Sequence, residues 1–223
     1  ALQWAGYMGE VKVIEYLIEK GADINAHHTP DKGTPLTYAL QNNKPEAAIV
    51  LINAGADIFI ELYNKTTAFH IAAQWGHMDV LELLFKQNPD VNAQTSEGFT
   101  PLILAAYNNH YEVCKFLIDH GADTEIKDTY DQTALSYAKS LDYKNIIGLI
   151  EDPENFVYNP DEIALSDRIN EGIQLFQYGE YEKAAKKFDE MMPYLKTEYG
   201  GNDTTYLTKM ILYAALSHEF SDN

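Results

Sequence analysis

The segment GFTPLILAAYNNHYEVCKFLIDHGAD, Gly98 to Asp123, concentrates reactive side chains: Cys114, His110, His120 and the carboxylates Glu112, Asp119 and Asp123. Two chemistries could use them. A cysteine can act as a nucleophile where the thiol is accessible and its surroundings are electropositive enough to favour the thiolate. Cysteine and histidine can also hold zinc, but at recurrent spacings such as His-Glu-x-x-His or paired Cys/His steps. Neither spacing occurs around His27, His70, His77, His110 or His120, and there is no glycine-rich phosphate loop or Gly-x-Ser-x-Gly elbow. A carboxylate dyad assembled by folding stays open, because pairing in space leaves no trace in chain order.

The elements that would position these residues have to come from a chain of 223 residues that is 46% hydrophobic, enough for a substantial core. Sixteen Lys and Arg stand against 34 Asp and Glu, a net charge of −18. Phosphate contacts dominate nucleic-acid affinity, so this balance argues against a nucleic-acid partner, and against anionic membrane surfaces too. A basic partner or simple solubility suits it better. Cys114 is the single cysteine, so no internal disulfide forms. That points to a reducing, cytoplasmic setting, with the nucleus also open. No apolar run is long enough for a membrane span. The opening ALQWAGYMGE has neither a signal-peptide core nor an initiator Met, and on that ground the chain is expected to begin inside a longer protein.

A period organises the chain. Thr34, Thr67, Thr100 and Thr133 recur every 33 residues, and Gly-Ala-Asp recurs from Gly21, Gly55 and Gly121, with Asn88-Pro89-Asp90 standing in once. Each unit reads as two helices. The Thr hydroxyl can cap free backbone N–H groups, and Pro suits the first turn. LILAA is a short apolar helix, YNNH or QWGH a polar turn, and YEVCKFLIDH a second helix with Val113, Cys114, Phe116, Leu117 and Ile118 apolar. Gly121 then ends it in the left-handed conformation. A polar link follows, in which Asp23, Asp57, Asp90 and Asp123 are expected to organise turns through side-chain to backbone bonds.

These motifs, TPLTYAL, TAFHIAAQWGH, TPLILAAYNNH and TALSYAKSLDY, resemble the ankyrin repeat over most of residues 1–152. Three full units are present, with a first unit missing its opening residues and a last one ending near Ile150. The pattern departs at Ala68 and Ala134, which replace Pro, at Asn88, which replaces Gly, and in a Gly21–Thr34 link one residue longer than the others. The last unit also lacks the Gly-Ala-Asp closure. The resemblance implies an all-α solenoid of helix-turn-helix units joined by short β-turns or hairpins. It also gives the reactive residues structural places: His77 and His110 in the turn between helices, and His70 bonding nearby backbone. Cys114 would lie in the core, where other units have Ile49 or Val50 and Leu81 or Leu83. A buried cysteine behaves as a small hydrophobe.

EDPENFVYNPDE, from Glu151, reads as a boundary, giving an ankyrin-like domain over 1–152 and a helical segment over 153–223. Beyond it two amphipathic stretches meet at Gly179, the second with Tyr181, Ala184, Ala185, Phe188, Met191, Met192 and Leu195 three or four residues apart. With Gly172, Ala184 and Phe188 the pair resembles a tetratricopeptide unit, of the longer-looped variety seen in kinesin light chains. Arg168 and Met191 depart from that pattern, and a generic helical hairpin capping the solenoid is the competing reading.

The ankyrin resemblance implies a concave face built from first helices and turn tips, and partner binding there. By register the helix positions are Tyr7 and Met8, Gln41 and Asn42, Gln74 and Trp75, Tyr107 and Asn108, and Ser140 and Leu141. The tips add Tyr63, Asn64, Glu97, Phe99, Tyr130 and Gln132. Exposed Trp and Tyr are frequent anchors, and Trp75, Tyr107, Phe99, Tyr63 and Tyr130 are expected to form an aromatic ridge; packing on neighbouring repeats is the alternative for each. Acidic tips at Glu61, Glu97 and Asp131 would steer a basic partner. Asn25 and Asn92, each with a Leu eight residues upstream (Leu17 and Leu84), match the asparagine that hydroxylases modify in such repeats, against a plain turn-capping role. The expectation is a non-catalytic scaffold that binds a protein or peptide, without metal or cofactor. The alternative is a targeting arm of a larger enzyme or effector. A small-molecule or metal site near Phe156, Tyr158 and His218 is a third, lesser reading.

Overall fold

A computed structural model describes residues 1–27 and 32–159, residue 175 and residues 183–186. The chain divides into two compact units, Ala1–Phe156 and Val157–Asn223. In the second, residues 183–186 are helical and bury Ala184 and Ala185. Gly172, Phe188, Arg168, Met191 and His218 lie outside the described residues.

The first unit is a row of helix pairs: α1 (Leu2–Met8) with α2 (Val11–Glu19), α3 (Pro35–Gln41) with α4 (Pro45–Asn53), α5 (Ala68–Trp75) with α6 (Met78–Phe85), α7 (Pro101–Tyr107) with α8 (Tyr111–Asp119), and α9 (Ala134–Ser140) with α10 (Lys144–Glu151). Among the described residues there is no strand; the tips between pairs are turns.

Each first helix after α1 opens on an extended threonine. Backbone N–H groups three residues on donate to the hydroxyls of Thr34, Thr100 and Thr133 at 3.2, 3.1 and 3.2 Å. This satisfies donors that a helix start leaves orphaned, and such a cap contributes about 1 kcal/mol. Ala68 and Ala134 at the first position serve as well as Pro35 and Pro101, since that N–H has no intrahelical partner anyway.

The turn between paired helices closes by one repeated bond. The N–H groups of Glu10, Lys44, His77, His110 and Tyr143 donate to the carbonyls of Ala5, Ala39, Ala72, Ala105 and Ala138, at 2.8–3.0 Å. The residue before each donor is left-handed: Gly9, Asn43, Gly76, Asn109 and Asp142. This is the six-to-one closure of a Schellman motif. Second helices end the same way, Ala22, Ala56 and Ala122 donating to Leu17, Leu51 and Leu117. The third repeat departs because Pro89 has no N–H, so that closure is lost and Asn88 takes the left-handed turn alone.

Alanines let the first helices approach closely: Ala39, Ala72, Ala73, Ala105, Ala106 and Ala138 are fully buried. The helices stack in two rows, α1–α3–α5–α7–α9 in one, and α2–α4–α6 with α8–α10 in the other. Burial on the second row comes from the neighbouring pair. Ala47, Val80, Val113 and Ile146 are at most 1% exposed, whereas Val13, at the same position of the first repeat, is 44% exposed. At the other end, Phe156 folds back against Gly148 and Tyr111, which carries the first unit to that residue.

The links show the expected aspartate turns. Oδ1 of Asp23, Asp57, Asp90 and Asp123 each accepts the N–H two residues on at 2.9 Å. The asparagines join one link to the next. Asn25 Oδ1 accepts the Asp57 N–H at 2.8 Å, and Asn92 Oδ1 accepts the Asp123 N–H at 2.9 Å while its amide donates to the Gly121 carbonyl at 3.3 Å. Phe59 occupies this position between the second and third links, 54% exposed and without the clasp. Since one intramolecular hydrogen bond contributes about 1 kcal/mol and that shifts Tm by about 2–4 °C in a domain this size, Phe59→Asn should raise Tm by that amount. Asn92→Ala should lower it by at least as much, with differential scanning fluorimetry reading both.

Candidate functional site

The reactive residues are taken up by the frame. Cys114 is fully buried on α8, and burial pushes its thiol well above the ordinary range, so it is held as the unreactive thiol. Its true register partners are Ile14, Ala48 and Leu81, all fully buried. Ile49, Val50 and Leu83, expected there from sequence, are only half-buried, because one- and two-residue steps turn a helical position off the packed face.

His70 is fully buried at the third position of α5. Its Nδ1 accepts the Thr67 N–H at 3.3 Å and lies 2.9 Å from the Thr67 hydroxyl, while Nε2 lies 3.0 Å from the Ala93 carbonyl. A backbone N–H only donates and a carbonyl only accepts, so the ring is neutral with its proton on Nε2. Burial lowers its pKa in agreement. His110 Nε2 likewise donates to the Gln74 carbonyl of the preceding repeat at 3.0 Å, and burial lowers its pKa. Gly76 makes room for that ring, since a Cβ there would come within 2.6 Å of His110 Nδ1. Burial, then the neighbouring His110, push His77 down to about 4, and its Nε2 is buried with no hydrogen-bond partner among the described residues. His120 bonds the Phe116 carbonyl at 2.6 Å and packs on Phe85 and Phe116. Among the described residues no group of three or more His, Cys, Asp or Glu is placed to hold a metal ion. Asn25 and Asn92, the candidate modification positions, are half-buried and occupied as the inter-repeat clasps.

The first-helix and tip positions are different. Tyr7, Met8, Tyr63, Tyr107, Tyr130 and Leu141 are exposed large side chains, with Gln41, Gln74 and Ser140 exposed beside them. Trp75, Phe99, Asn64, Glu97, Asn42, Asn108 and Gln132 are half-buried. The amides of Asn42 and Asn108 donate to the Tyr38 and Leu104 carbonyls of their own helices, at 2.9 and 2.8 Å. Phe99 and Tyr107 are joined through Tyr137, with ring centroids 6.4 and 5.4 Å from it. No ring contact among the described residues links Tyr63, Trp75 or Tyr130 to them. Trp4, 66% exposed and stacked on Tyr7 at 5.3 Å, also lies on this face. Trp4 and Tyr137 share one register, three residues before Tyr7 and Ser140, and a search for aromatics at that spacing would have found both.

The tips are tied in series, Ser96 donating to the Asn64 carbonyl at 2.8 Å and Thr129 to the Glu97 carbonyl at 3.0 Å. Glu61 and Asp131 are exposed, and Asp131 pairs with Lys127 at 2.8 Å.

A family model of ankyrin repeats, in three copies, matches residues 1–62 and 69–157. The chain is 40% identical over 116 residues to alpha-latrocrustotoxin-Lt1a of Latrodectus tredecimguttatus, covering 52% of this chain and 8% of the toxin. It is 33% identical over 147 residues to an ankyrin repeat protein of Fowlpox virus (strain NVSL), covering 63% of this chain and 43% of that one. It is 26% identical over 198 residues to target of rapamycin complex 2 subunit AVO2 of Saccharomyces cerevisiae, covering 83% and 45%. The chain spans less than half the length of each.

The lowered histidines make the fold acid-sensitive in a defined window. Unfolded, His77 titrates near 6.5; folded, near 4. Its contribution is complete above about pH 6.5 and is lost as pH falls towards 4, because the unfolded chain takes up the proton first. His77→Gln should flatten urea-unfolding stability between pH 6.5 and 4.5 by up to about 1 kcal/mol per pH unit, with the two proteins' curves parallel above pH 7.

Proposed function

The chain belongs to the ankyrin-repeat family, and we propose that it is a non-catalytic scaffold that docks a partner protein on the face made by its first helices and turn tips. The observation that carries this is the distribution of exposed large side chains. Most lie at the helix and tip positions, Trp4, Tyr7, Met8, Tyr63, Tyr107, Tyr130 and Leu141, while the other repeated positions are spent on caps, closures and core. Tyr and Trp bury much area at little entropic cost, which makes them the usual anchors of an interface. Ankyrin-repeat relatives point the same way, to protein interaction and regulatory roles, one of them being a complex subunit by name.

The net charge of −18 favours a basic partner and fast, salt-sensitive association. The reduced, buried Cys114 suits a reducing intracellular compartment, and no helix among the described residues is long and apolar enough to cross a membrane. A second reading, a targeting arm of a larger enzyme or effector, is compatible with the chain covering only 8% of the toxin and 43% of the viral protein.

Affinity capture followed by mass spectrometry would identify the partner, and Tyr63→Ala/Tyr107→Ala would then test the face. Each exposed anchor is expected to contribute about 1 kcal/mol or more, so the double variant should bind at least about tenfold more weakly by titration calorimetry, with Tm within a few degrees of the parent. Unchanged affinity would place the interface on another face.

A further inference from the structure

One junction on the first-helix and tip face is built differently from its neighbours, and reading it rests on that face being the docking surface. Tyr107 from α7 and Tyr137 from α9 stand nearly perpendicular, planes 87° apart with centroids at 5.4 Å. Phe99, from the tip before α7, adds a third ring 6.4 Å from Tyr137. Tyr107 is 52% exposed, so this corner opens to solvent. One repeat earlier the positions of Tyr107, Tyr137 and Phe99 hold Gln74, Leu104 and Thr66, and no such corner exists.

Behind the rings lies a buried charge. Asp128 is 7% exposed. Its Oδ1 accepts the N–H groups of Tyr130 and Gln132 at 2.8 and 3.0 Å, and its Oδ2 accepts the Tyr137 hydroxyl at 2.6 Å. No cation pairs with it among the described residues; the adjacent Lys127 is engaged by Asp131. The carboxylate is therefore held by hydrogen bonds and not by an ion pair among the described residues, and it is joined directly to one of the rings. One repeat earlier Thr95 stands in its place.

Aromatic faces carry the negative part of the ring quadrupole, so they attract cations, and a nearby carboxylate adds to the attraction. We propose that the Phe99–Tyr107–Tyr137 corner, backed by Asp128, receives an arginine side chain of the partner protein. Arginine suits it better than lysine: the guanidinium is planar, stacks on aromatic faces and is more weakly hydrated than an ammonium, so it loses less on leaving water. The strongly acidic chain delivers basic segments to the face in general, and the corner selects where one side chain seats.

The test uses two synthetic peptides, Ac-Gly-Gly-Arg-Gly-Gly-amide and the same peptide with citrulline, the neutral isostere, in place of arginine. Each is titrated into the whole chain and followed by NMR of aromatic side-chain resonances. The arginine peptide should shift the Phe99, Tyr107 and Tyr137 signals with saturation, and the citrulline peptide should not. Tyr107→Leu should weaken the response about two- to fivefold, the range of an exposed cation–π contact, and Tyr63→Leu on a separate tip should leave it unchanged. Equal shifts with both peptides would show a contact indifferent to charge, and an arginine response indifferent to Tyr107→Leu would leave only diffuse attraction to an acidic surface; either result overturns the proposal. The peptide exchange needs no mutation, so equal shifts, or an arginine response spread evenly over the aromatic signals of the chain and not concentrated at Phe99, Tyr107 and Tyr137, overturn the proposal even if a variant folds poorly. A partner whose binding falls in Tyr63→Ala/Tyr107→Ala while the arginine peptide ignores the corner would remove this inference and keep the docking face.

Discussion

Within the first unit a helix pair does not bury its apolar surface alone; the neighbour does it. The comparison of Val13 with Ala47, Val80, Val113 and Ile146 isolates that dependence, because one position in one motif is exposed or fully buried according to whether another pair lies against it. Burying a side chain the size of valine contributes about 1.5–3 kcal/mol, and the gain recurs at every junction. Stability in such an array is a sum of modest intrinsic terms and larger interface terms between neighbours. Everything else in the repeat serves to hold helices short enough, and alanine-lined enough, for the next pair to approach.

The hydrogen-bonding plan follows from that shortness. Helices of seven to nine residues leave a large share of their backbone groups unpaired at the ends. The chain answers with threonine caps at the start of each first helix after α1 and left-handed closures at the end of most helices. Among the described residues the left-handed positions hold Gly, Asn, Asp or Lys, and only some are glycine. Gly98 is one that must be: a Cβ there would come within 2.8 Å of the Asp128 Cα, so close approach as well as positive φ excludes a side chain. Where the plan fails the reason is local and visible, as at Pro89, which lacks a donor, and at Phe59, which lacks an acceptor.

This economy explains why histidines, a cysteine and aspartates can recur in neighbouring repeats with each holding a structural place. The imidazole of His70 closes a helix start and braces a link, His110 reaches back to the previous repeat, Cys114 fills a core position, and Asp123 folds a turn. Once those roles are filled, the positions left over are those on first helices and tips. Their side chains differ from repeat to repeat, so chemical individuality along the chain, such as the aromatic corner at Tyr107 and Tyr137, arises there.

The period, the threonine caps, the helix-ending glycines and the aspartate turns were legible in the sequence, because each is an interaction between residues two to six apart whose partners lie in the same motif. The rows of Tyr7 and Met8, Gln74 and Trp75, and Tyr107 and Asn108 followed from register alone. What sequence could not supply were contacts across repeats: the clasps from Asn25 and Asn92, the tautomer of His70, the exposure of Val13, and the gathering of Phe99, Tyr107 and Tyr137 around a ring no motif had singled out. The register of Cys114 slipped for a related reason, since a run of apolar residues on a short helix does not say which of them faces the neighbour. Local hydrogen bonding is written in residue order, but burial and side-chain convergence depend on how the adjacent pair is set down, and only the packed structure decides that.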